Sequence, residues 1–281
     1  ADAERALIDA MNRGATDVRV AAASALGDIG TPSAIDALAA AMSCHNREVR
    51  LAAAESLAGL GDARAIAPLA AELAKGGGDN HDTVGLALAM SGDARAGPYL
   101  AAAVQRAFLV GARQAARHVG LLGDPNFAYS LVPLLHYGPR RWAPQQAAYA
   151  LALLGRDEGL DVLAWSVPNT CDCDGLETVV GLALIGSPRA RQALETAARE
   201  SAHPAIRRLA RRCLEVPARQ AVEELLKIRR WDLDSQALSI LTFLNDPASL
   251  PALEHFRANA PDNRDRVEAA RTIKRIRRLR S

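Results

Sequence analysis

Aromatic residues are scarce in this chain: they make up 4% of its 281 residues, although 49% of the residues are hydrophobic. Alanine is the most frequent of these apolar residues and favours helices that pack closely through small side chains. No run of 18 apolar residues occurs, so no segment is predicted to span a membrane. The net charge of +2 is too small to indicate nucleic acid or a lipid surface by itself.

Cysteine is also rare. Four cysteines, Cys44, Cys171, Cys173 and Cys213, do not form a secreted disulfide framework in a chain of this length. Residues 1–10 lack a basic segment followed by an apolar core, so they are not predicted to be a signal peptide, unless one has already been removed. A cytoplasmic protein is the resulting expectation.

A repeat of about 31 residues runs through the chain. "VRVAAASALGDIG" (18–30) returns as "VRLAAAESLAGLG" (49–61). The closing glycine serves as a marker and recurs at spacings of 31 or 32, at Gly30, Gly61, Gly92, Gly123, Gly155 and Gly186. The same slot continues near Ala218 and at Asn245. A fixed period of this kind predicts a solenoid, because one helical hairpin cannot bury its apolar face alone whereas stacked neighbours can.

Each repeat is predicted to contain two helices. Val49, Ala53, Leu57 and Leu60 form a helical stripe, and the glycine that follows can adopt the left-handed conformation that ends a helix. "GTP", "GDP", "GSP" and "NDP" then supply an N-cap and a proline at the first helical position of the second helix. Residues 75–82, 136–144, 167–175 and 258–265 are interpreted as lengthened inter-helix loops, so residues 1–281 are predicted to form a single solenoid domain.

These motifs resemble the short HEAT-like repeat found in phycobilin lyases. The resemblance rests on segments such as "DVRVAAASALGDIG" (17–30) and "ALALLGRDEGLDVL" (150–163) and covers nearly the whole chain. It implies an all-α fold, a right-handed α-solenoid of about eight HEAT-like helical hairpins with a concave groove. Because such arrays serve many roles, the resemblance indicates fold far more strongly than function.

The resemblance also places the positions of each V-R helix that are not used for packing on the concave side. The first repeats place acids there, among them Asp17, Asp28, Glu48 and Glu55. The middle repeats place the types that dominate protein hot spots, and the last ones place mainly arginine. The predicted partner-binding residues are Arg113, Gln114, Arg117, Trp142, Gln145, Gln146 and Tyr149, extended by Arg208 and Arg212. Opposite charges at the two ends of the groove would orient a polypeptide partner.

Each of these side chains has a simpler interpretation as ordinary solvated surface, with Trp142 and Tyr149 tucked into neighbouring loops. Arg19 and Arg50, the arginines of two V-R pairs, are expected to be structural and to stack against an Asp of the neighbouring repeat.

No constellation in the sequence indicates catalysis, and no metal or cofactor is predicted. "CDCD" (171–174) is a pair of cysteines with flanking carboxylates, but a structural zinc site needs four ligands, so a polar loop is favoured. None of the six histidines precedes a glutamate, which excludes the repeated His-Glu iron site of deoxyhypusine hydroxylases. A tetrapyrrole held by Arg113, Arg117, Trp142 and Tyr149, as in a bilin lyase, stays a minor alternative.

Residues 264–281 carry eight basic and two acidic residues and are predicted to be a basic capping helix. Ile273, Ile276 and Leu279 are spaced to pack on the preceding repeat, and the arginines could bind phosphate or an acidic partner. The sequence therefore predicts a non-catalytic, monomeric, cytoplasmic scaffold that holds a protein or peptide in its groove. The alternatives are a partner-specific inhibitor such as a bacterial immunity protein, a nucleic-acid binder and a bilin lyase-like protein.

Overall fold

A computed structural model describes residues 2–75, 81–106, 112–136, 142–167, 172–228, 231–260 and 262–278. Within these ranges every regular element is a helix. The chain separates into two compact units, Ala1–His118 and Val119–Ser281. Whether residues 1–281 form a single solenoid domain depends on how these two units join, so the single domain stays a prediction.

The first unit consists of helical hairpins that follow the repeat. Its helices are α1 (Asp2–Arg13), α2 (Thr16–Ile29), α3 (Pro32–Ala41), α4 (Arg47–Gly59), α5 (Ile66–Lys75), α6 (His81–Met90), α7 (Gly97–Arg106) and the greater part of α8 (Ala112–Leu122). Short 3₁₀ turns at Ala63–Ala65 and Ala94–Ala96 precede α5 and α7. The V-R helices α2, α4, α6 and α8 are called inner helices below, and α2 packs on α4, which packs on α6.

The second unit continues the pattern. Its helices are α9 (Val132–Leu135), α10 (Trp142–Leu153), α11 (Leu160–Ser166), α12 (Asp172–Ile185), α13 (Pro188–Glu200), α14 (Pro204–Glu215), α15 (Ala218–Leu226), α16 (Trp231–Leu244), α17 (Leu250–Asn259) and α18 (Asn263–Arg278). The inner helices here are α10, α12, α14, α16 and α18. Helix α12 contacts α10 and α14 on its two sides and also reaches α16, so the inner helices of this unit converge.

The helix ends form as the repeat predicts. The six marker glycines have φ between 63° and 78°, and Asn245 takes the same left-handed conformation at φ 48°. The side chain of Thr31 accepts a hydrogen bond from the Ala34 N–H at 3.2 Å, ahead of Pro32. Near Ala218, where the repeat slot continues without glycine, α14 ends at Glu215, and the extended Val216 and Pro217 make the turn before α15 begins at Ala218. The loop predictions fall largely outside the described residues.

The arginine of the V-R pair has a structural role, but its partner is not an aspartate. Its guanidinium donates hydrogen bonds to backbone carbonyls at the end of the preceding helix, where four carbonyls lack an intrahelical partner and the helix dipole is negative. The same contact recurs along the chain: Arg19 to Met11 at 2.7 Å, Arg50 to Cys44 at 2.7 Å, Arg207 to Ala202 at 3.1 Å and Arg266 to Ala260 at 2.6 Å. At these four places the bonds close the turn between the outer helix of one repeat and the inner helix of the next.

Candidate functional site

The predicted partner-binding residues lie in both units. Arg113, Gln114 and Arg117 belong to α8 within the first unit, and the others belong to the second unit. Gln114 is exposed, whereas Arg113 and Arg117 are half-buried. The two groups are therefore considered separately.

In the second unit the predicted groove residues Gln146 and Tyr149 are interior, each with only 2% of its surface exposed. The Gln146 amide donates a hydrogen bond to the Glu177 carboxylate on α12. The Tyr149 ring meets Phe243 of α16 edge to face, with centroids 5.9 Å apart. These two residues are part of the packed core, so the expectation that they are surface contacts for a partner does not hold for this conformation.

The remaining predicted residues of the second unit differ in accessibility. Gln145 is half-buried and Arg208 is exposed. Trp142 begins α10, but its side chain lies outside the described residues. Arg212 forms two hydrogen bonds to Glu224, at 2.7 and 2.8 Å, and a third to Glu215. The hydrogen bonds that Arg212 donates to Glu224, and then to Glu215, raise the pKa of Arg212. This guanidinium therefore joins α14 to α15 within the unit.

The basic carboxyl-terminal helix α18 is a cap whose arginines are largely engaged. Ile273 and Ile276 are buried at 2% and 1% exposure, as predicted, whereas Leu279 lies outside the described residues. Arg275, also 2% exposed, donates to the backbone carbonyl of Leu121 at the end of α8. Arg277 pairs with Glu254. The guanidinium of Arg275 therefore caps the carboxyl-terminal end of α8, whose last residues belong to this unit, and is not available to a phosphate.

The inner face of the first unit is open where that of α10 and α12 in the second unit is closed. The position six residues before each marker glycine shows the difference. In the second unit it holds Tyr149 and Val180, which are 2% and 0% exposed. In the first unit Ser24 is exposed, Glu55 is half-buried and Leu86 is 44% exposed. We call the surface formed by Ala21, Ser24, Asp28, Ala52, Glu55, Gly59, Leu86 and Gln114 the open face.

Glu55 is the electrostatically distinctive residue of the open face. Desolvation by its partly buried surroundings raises the pKa of this carboxyl, with no contribution from an ion pair or hydrogen bond to the described residues. Asp28 is exposed in the last turn of α2, where a negative charge opposes the helix dipole. These acids are therefore not placed to stabilise their own helices.

Sequence reasoning anticipated Asp28, Glu55 and Gln114 but missed Leu86. The signal was present, since Leu86 stands exactly one repeat after Glu55 and one before Arg117. Sequence reasoning could not distinguish the two inner faces, because residues in the same register are buried in one unit and exposed in the other.

Among the described residues, no group of three or more His, Cys, Asp or Glu side chains is arranged to hold a metal ion. The side chains of Cys171 and Cys173, which carry the "CDCD" motif, lie outside those residues. Of the helices described, none has the length and apolar character needed to cross a membrane.

Comparison with known proteins agrees with the repeat architecture. Residues 4–80 match the family of HEAT repeats. The structure is similar to a chain of the complex of CpcE and CpcF of phycocyanin lyase from a Nostoc species, with a TM-score of 0.54 and 18% identity over 86% of this chain and 93% of that chain. Human deoxyhypusine hydroxylase in complex with glycerol matches with a TM-score of 0.40 and 18% identity, over 90% of this chain and 99% of that one.

No curated protein matches the chain in sequence at a significant level. Similarity at 18% identity shows the fold and leaves activity aside. The repeat motifs, the stacked helical hairpins and the match of residues 4–80 to HEAT repeats agree, so the all-α fold of HEAT-like helical hairpins expected from the sequence is confirmed.

Proposed function

We propose that this protein is a non-catalytic scaffold that holds a polypeptide partner against the open face of its first unit. One observation carries the proposal. At the same repeat position, Leu86 is 44% exposed in the first unit while Tyr149 is 2% exposed in the second. Single exposed apolar side chains are common on protein surfaces. Leu86 supports the proposal because helix packing buries the same repeat position in the second unit, whereas on the ordered inner helix α6 it is left for a partner to cover.

The open face suits binding because its backbone is already ordered. Rigid helices carry the side chains, so association requires little ordering of the scaffold. Small residues, Ala21, Ser24, Ala52 and Gly59, form much of the surface. A methyl group placed at Gly59 would have no atom within 4 Å, so space is free there for another chain.

The open face is spread over several inner helices. Glu55 and Leu86 lie on the successive inner helices α4 and α6, and packed helix axes are about 8–10 Å apart. A polypeptide laid across these helices contacts both side chains. The cytoplasmic location, the monomeric state and the partner's identity stay predictions.

Affinity capture from a native lysate tests the proposal. The wild-type chain is compared with Leu86→Arg on the open face and with Tyr99→Arg on the outer helix α7. The two sites are matched, since Leu86 and Tyr99 are 44% and 43% exposed. We expect a discrete protein to be captured by the wild type and by Tyr99→Arg and lost with Leu86→Arg, while circular dichroism shows the same helix content in all three.

Equal capture by all three chains would contradict the assignment of the open face. Recovery of nucleic acid that is released by moderate salt would instead favour the nucleic-acid alternative. A coloured bilin retained on the wild-type chain would favour the lyase-like alternative.

A further inference from the structure

Helices α2 and α4 each present a stripe of acidic and small side chains at the open face. On each helix the four positions are spaced as one helical face, and all of them are exposed or half-buried. The stripes are Asp17, Ala21, Ser24 and Asp28 on α2, and Glu48, Ala52, Glu55 and Gly59 on α4. Asp17 and Glu48 extend the open face by one turn toward the start of each helix.

The basic residues of the same helices do not neutralise these acids. Arg19 donates to the backbone carbonyl of Met11 at 2.7 Å, and Arg50 donates to that of Cys44 at 2.7 Å. Arg47 pairs with Glu72 of the outer helix α5 at 2.9 Å. Among the described residues, none is hydrogen-bonded to or ion-paired with the carboxylates of the four stripe acids. This part of the open face therefore repels phosphate and attracts a basic polypeptide.

Two of the acids gain most from a cation. Partial burial raises the pKa of the Glu55 carboxyl, because its ionised form is poorly solvated. Asp28 lies in the last turn of α2, where the helix dipole opposes its charge. A lysine or arginine beside either side chain would offset these unfavourable surroundings.

The spacing of the inner helices determines the conformation of the partner. Glu55 and Leu86 each stand six residues before a marker glycine, and α4 packs on α6, so their axes are about 8–10 Å apart. On an α-helix, residues seven apart share a face and are about 10.5 Å apart along the axis, close to this separation. On an extended strand, residues that share a face are about 6.7 or about 13 Å apart, which fits less well.

The open face also has room for a helix. A Cβ atom at Gly59 would meet no atom within 4 Å, and the neighbouring stripe residues Ala21, Ser24 and Ala52 are small. Helix α2 packs closely on α4, since a Cβ atom at Gly27 would lie 2.8 Å from the Ser56 Cβ atom. The same step between inner helices therefore continues from α4 to α2.

On the basis of the proposed function, we infer that the open face binds a basic amphipathic helix of a partner protein, which lies across α2, α4 and α6. A lysine or arginine of that helix pairs with Glu55. An apolar residue seven positions away, on the same side of the partner helix, covers Leu86. A second basic residue, seven positions away in the opposite direction, meets the acidic stripe of α2 that ends at Asp28.

Fluorescence anisotropy with synthetic peptides tests this inference on the full-length chain at low salt. Two fluorescein-labelled peptides of alanine and glutamine carry two lysines and one leucine at seven-residue intervals, in the orders Lys-Lys-Leu and Leu-Lys-Lys. In their matched controls the leucine is moved by two positions, which turns it to the opposite side of the helix at unchanged charge and composition. We expect one of the two peptides to bind about tenfold more tightly than its control, because only that peptide buries its leucine on Leu86.

A third version of the tighter peptide tests the helical conformation. Two of its alanines between lysine and leucine are replaced by proline, which breaks the helix and leaves the charge unchanged. We expect this version to bind no more tightly than the control.

Substitutions in the chain then assign the two contacts. Leu86→Ala should abolish the preference for the peptide over its control, whereas Tyr99→Ala on the outer helix α7 should keep it, although the two side chains are equally exposed. Glu55→Gln should weaken peptide and control alike, by about fivefold, because both carry the lysines. Asp36→Asn, an exposed acid on the outer helix α3, should change neither. Since Glu55→Gln removes a poorly solvated charge, it should unfold at an equal or higher temperature, which separates lost binding from misfolding.

Equal affinities of both peptides and their controls, or a Leu86→Ala variant that keeps the preference, would overturn the inference. Tight binding of the proline version would show a partner that is not helical. Self-association of the wild-type chain that Leu86→Arg abolishes, measured by size-exclusion chromatography, would make a second copy the occupant. Either result would also overturn it.

The proposed function and this inference fail separately. If affinity capture depends on Leu86 while the peptides show no preference, the scaffold stands and the basic helix is wrong. If capture shows no dependence on Leu86, the open face itself is wrong.

Discussion

The strongest prediction concerns Tyr149, because two interpretations of this residue differ in measurable stability. If the inner face of the second unit were an open groove, Tyr149→Ala would change the free energy of unfolding by no more than about 0.5 kcal/mol, as surface substitutions usually do. The structure instead buries the ring against Phe243, with 2% of Tyr149 exposed. Deleting a buried aromatic ring costs about 3–5 kcal/mol.

The magnitude follows from area as well. A buried tyrosine removes about 150 Å² or more from water, and at about 25 cal/mol per Å² this is about 4 kcal/mol. The edge-to-face contact with Phe243 adds about 0.5–1.5 kcal/mol. With a urea m-value of about 2 kcal/mol/M, we expect the unfolding midpoint to fall by about 2 M.

Tryptophan fluorescence is the right assay because it reports one unit selectively. The three tryptophans, Trp142, Trp165 and Trp231, all lie beyond residue 118 and thus in the second unit. Tyr129→Ala is the matched control, since Tyr129 lies in the same unit and is 60% exposed. We expect its midpoint to match that of the wild type. A loss below about 1 kcal/mol for Tyr149→Ala would refute the closed inner face and restore Tyr149 as a surface contact.

Further predictions concern single contacts. A backbone N–H and a neighbouring guanidinium lower the pKa of the Cys44 thiol, whereas burial raises the pKa of the Cys213 thiol to about 12. Iodoacetamide at pH 8 should therefore alkylate Cys44 much faster than Cys213. Site-resolved mass spectrometry measures the two rates. Comparable rates would contradict this. Arg275→Met removes the hydrogen bond to the Leu121 carbonyl and should destabilise the second unit by about 1–3 kcal/mol in urea unfolding. Gly159→Ala places a Cβ atom 2.5 Å from the Cα atom of Ala148 and should lower the urea midpoint of the second unit. An unchanged urea midpoint would show that α10 and α11 move apart without cost.

Local features were predictable because they depend on residues close in sequence. The helix stops at the marker glycines and at Asn245 follow from the left-handed backbone that these residue types tolerate. The helix starts follow from short polar side chains that cap free N–H groups. Near Ala218 the chain has no marker glycine, and an extended Val216 before Pro217 ends the inner helix there.

For the candidate site, the sequence predicts which repeat positions its residues occupy but not whether those residues are exposed. Counting from the marker glycines places Glu55 and Gln114 among the residues not used for hairpin packing, and in the structure Glu55 is half-buried and Gln114 is exposed. It does not tell whether those residues meet solvent or another helix. Gln146 and Tyr149 were expected at the surface for this reason, and both are buried.

The sequence by itself determined the repeat, the helical hairpins, their caps and the order of acid and apolar group along the inner helices. Tertiary structure alone decided which inner face is open, because the curvature of a solenoid is the sum of small rotations between neighbouring repeats. Those rotations depend on how closely each pair of helices packs, as at Gly120 against Ala150, and they accumulate over the unit. The result is a contact such as that of Arg275 with Leu121, 154 residues apart, which no local pattern records.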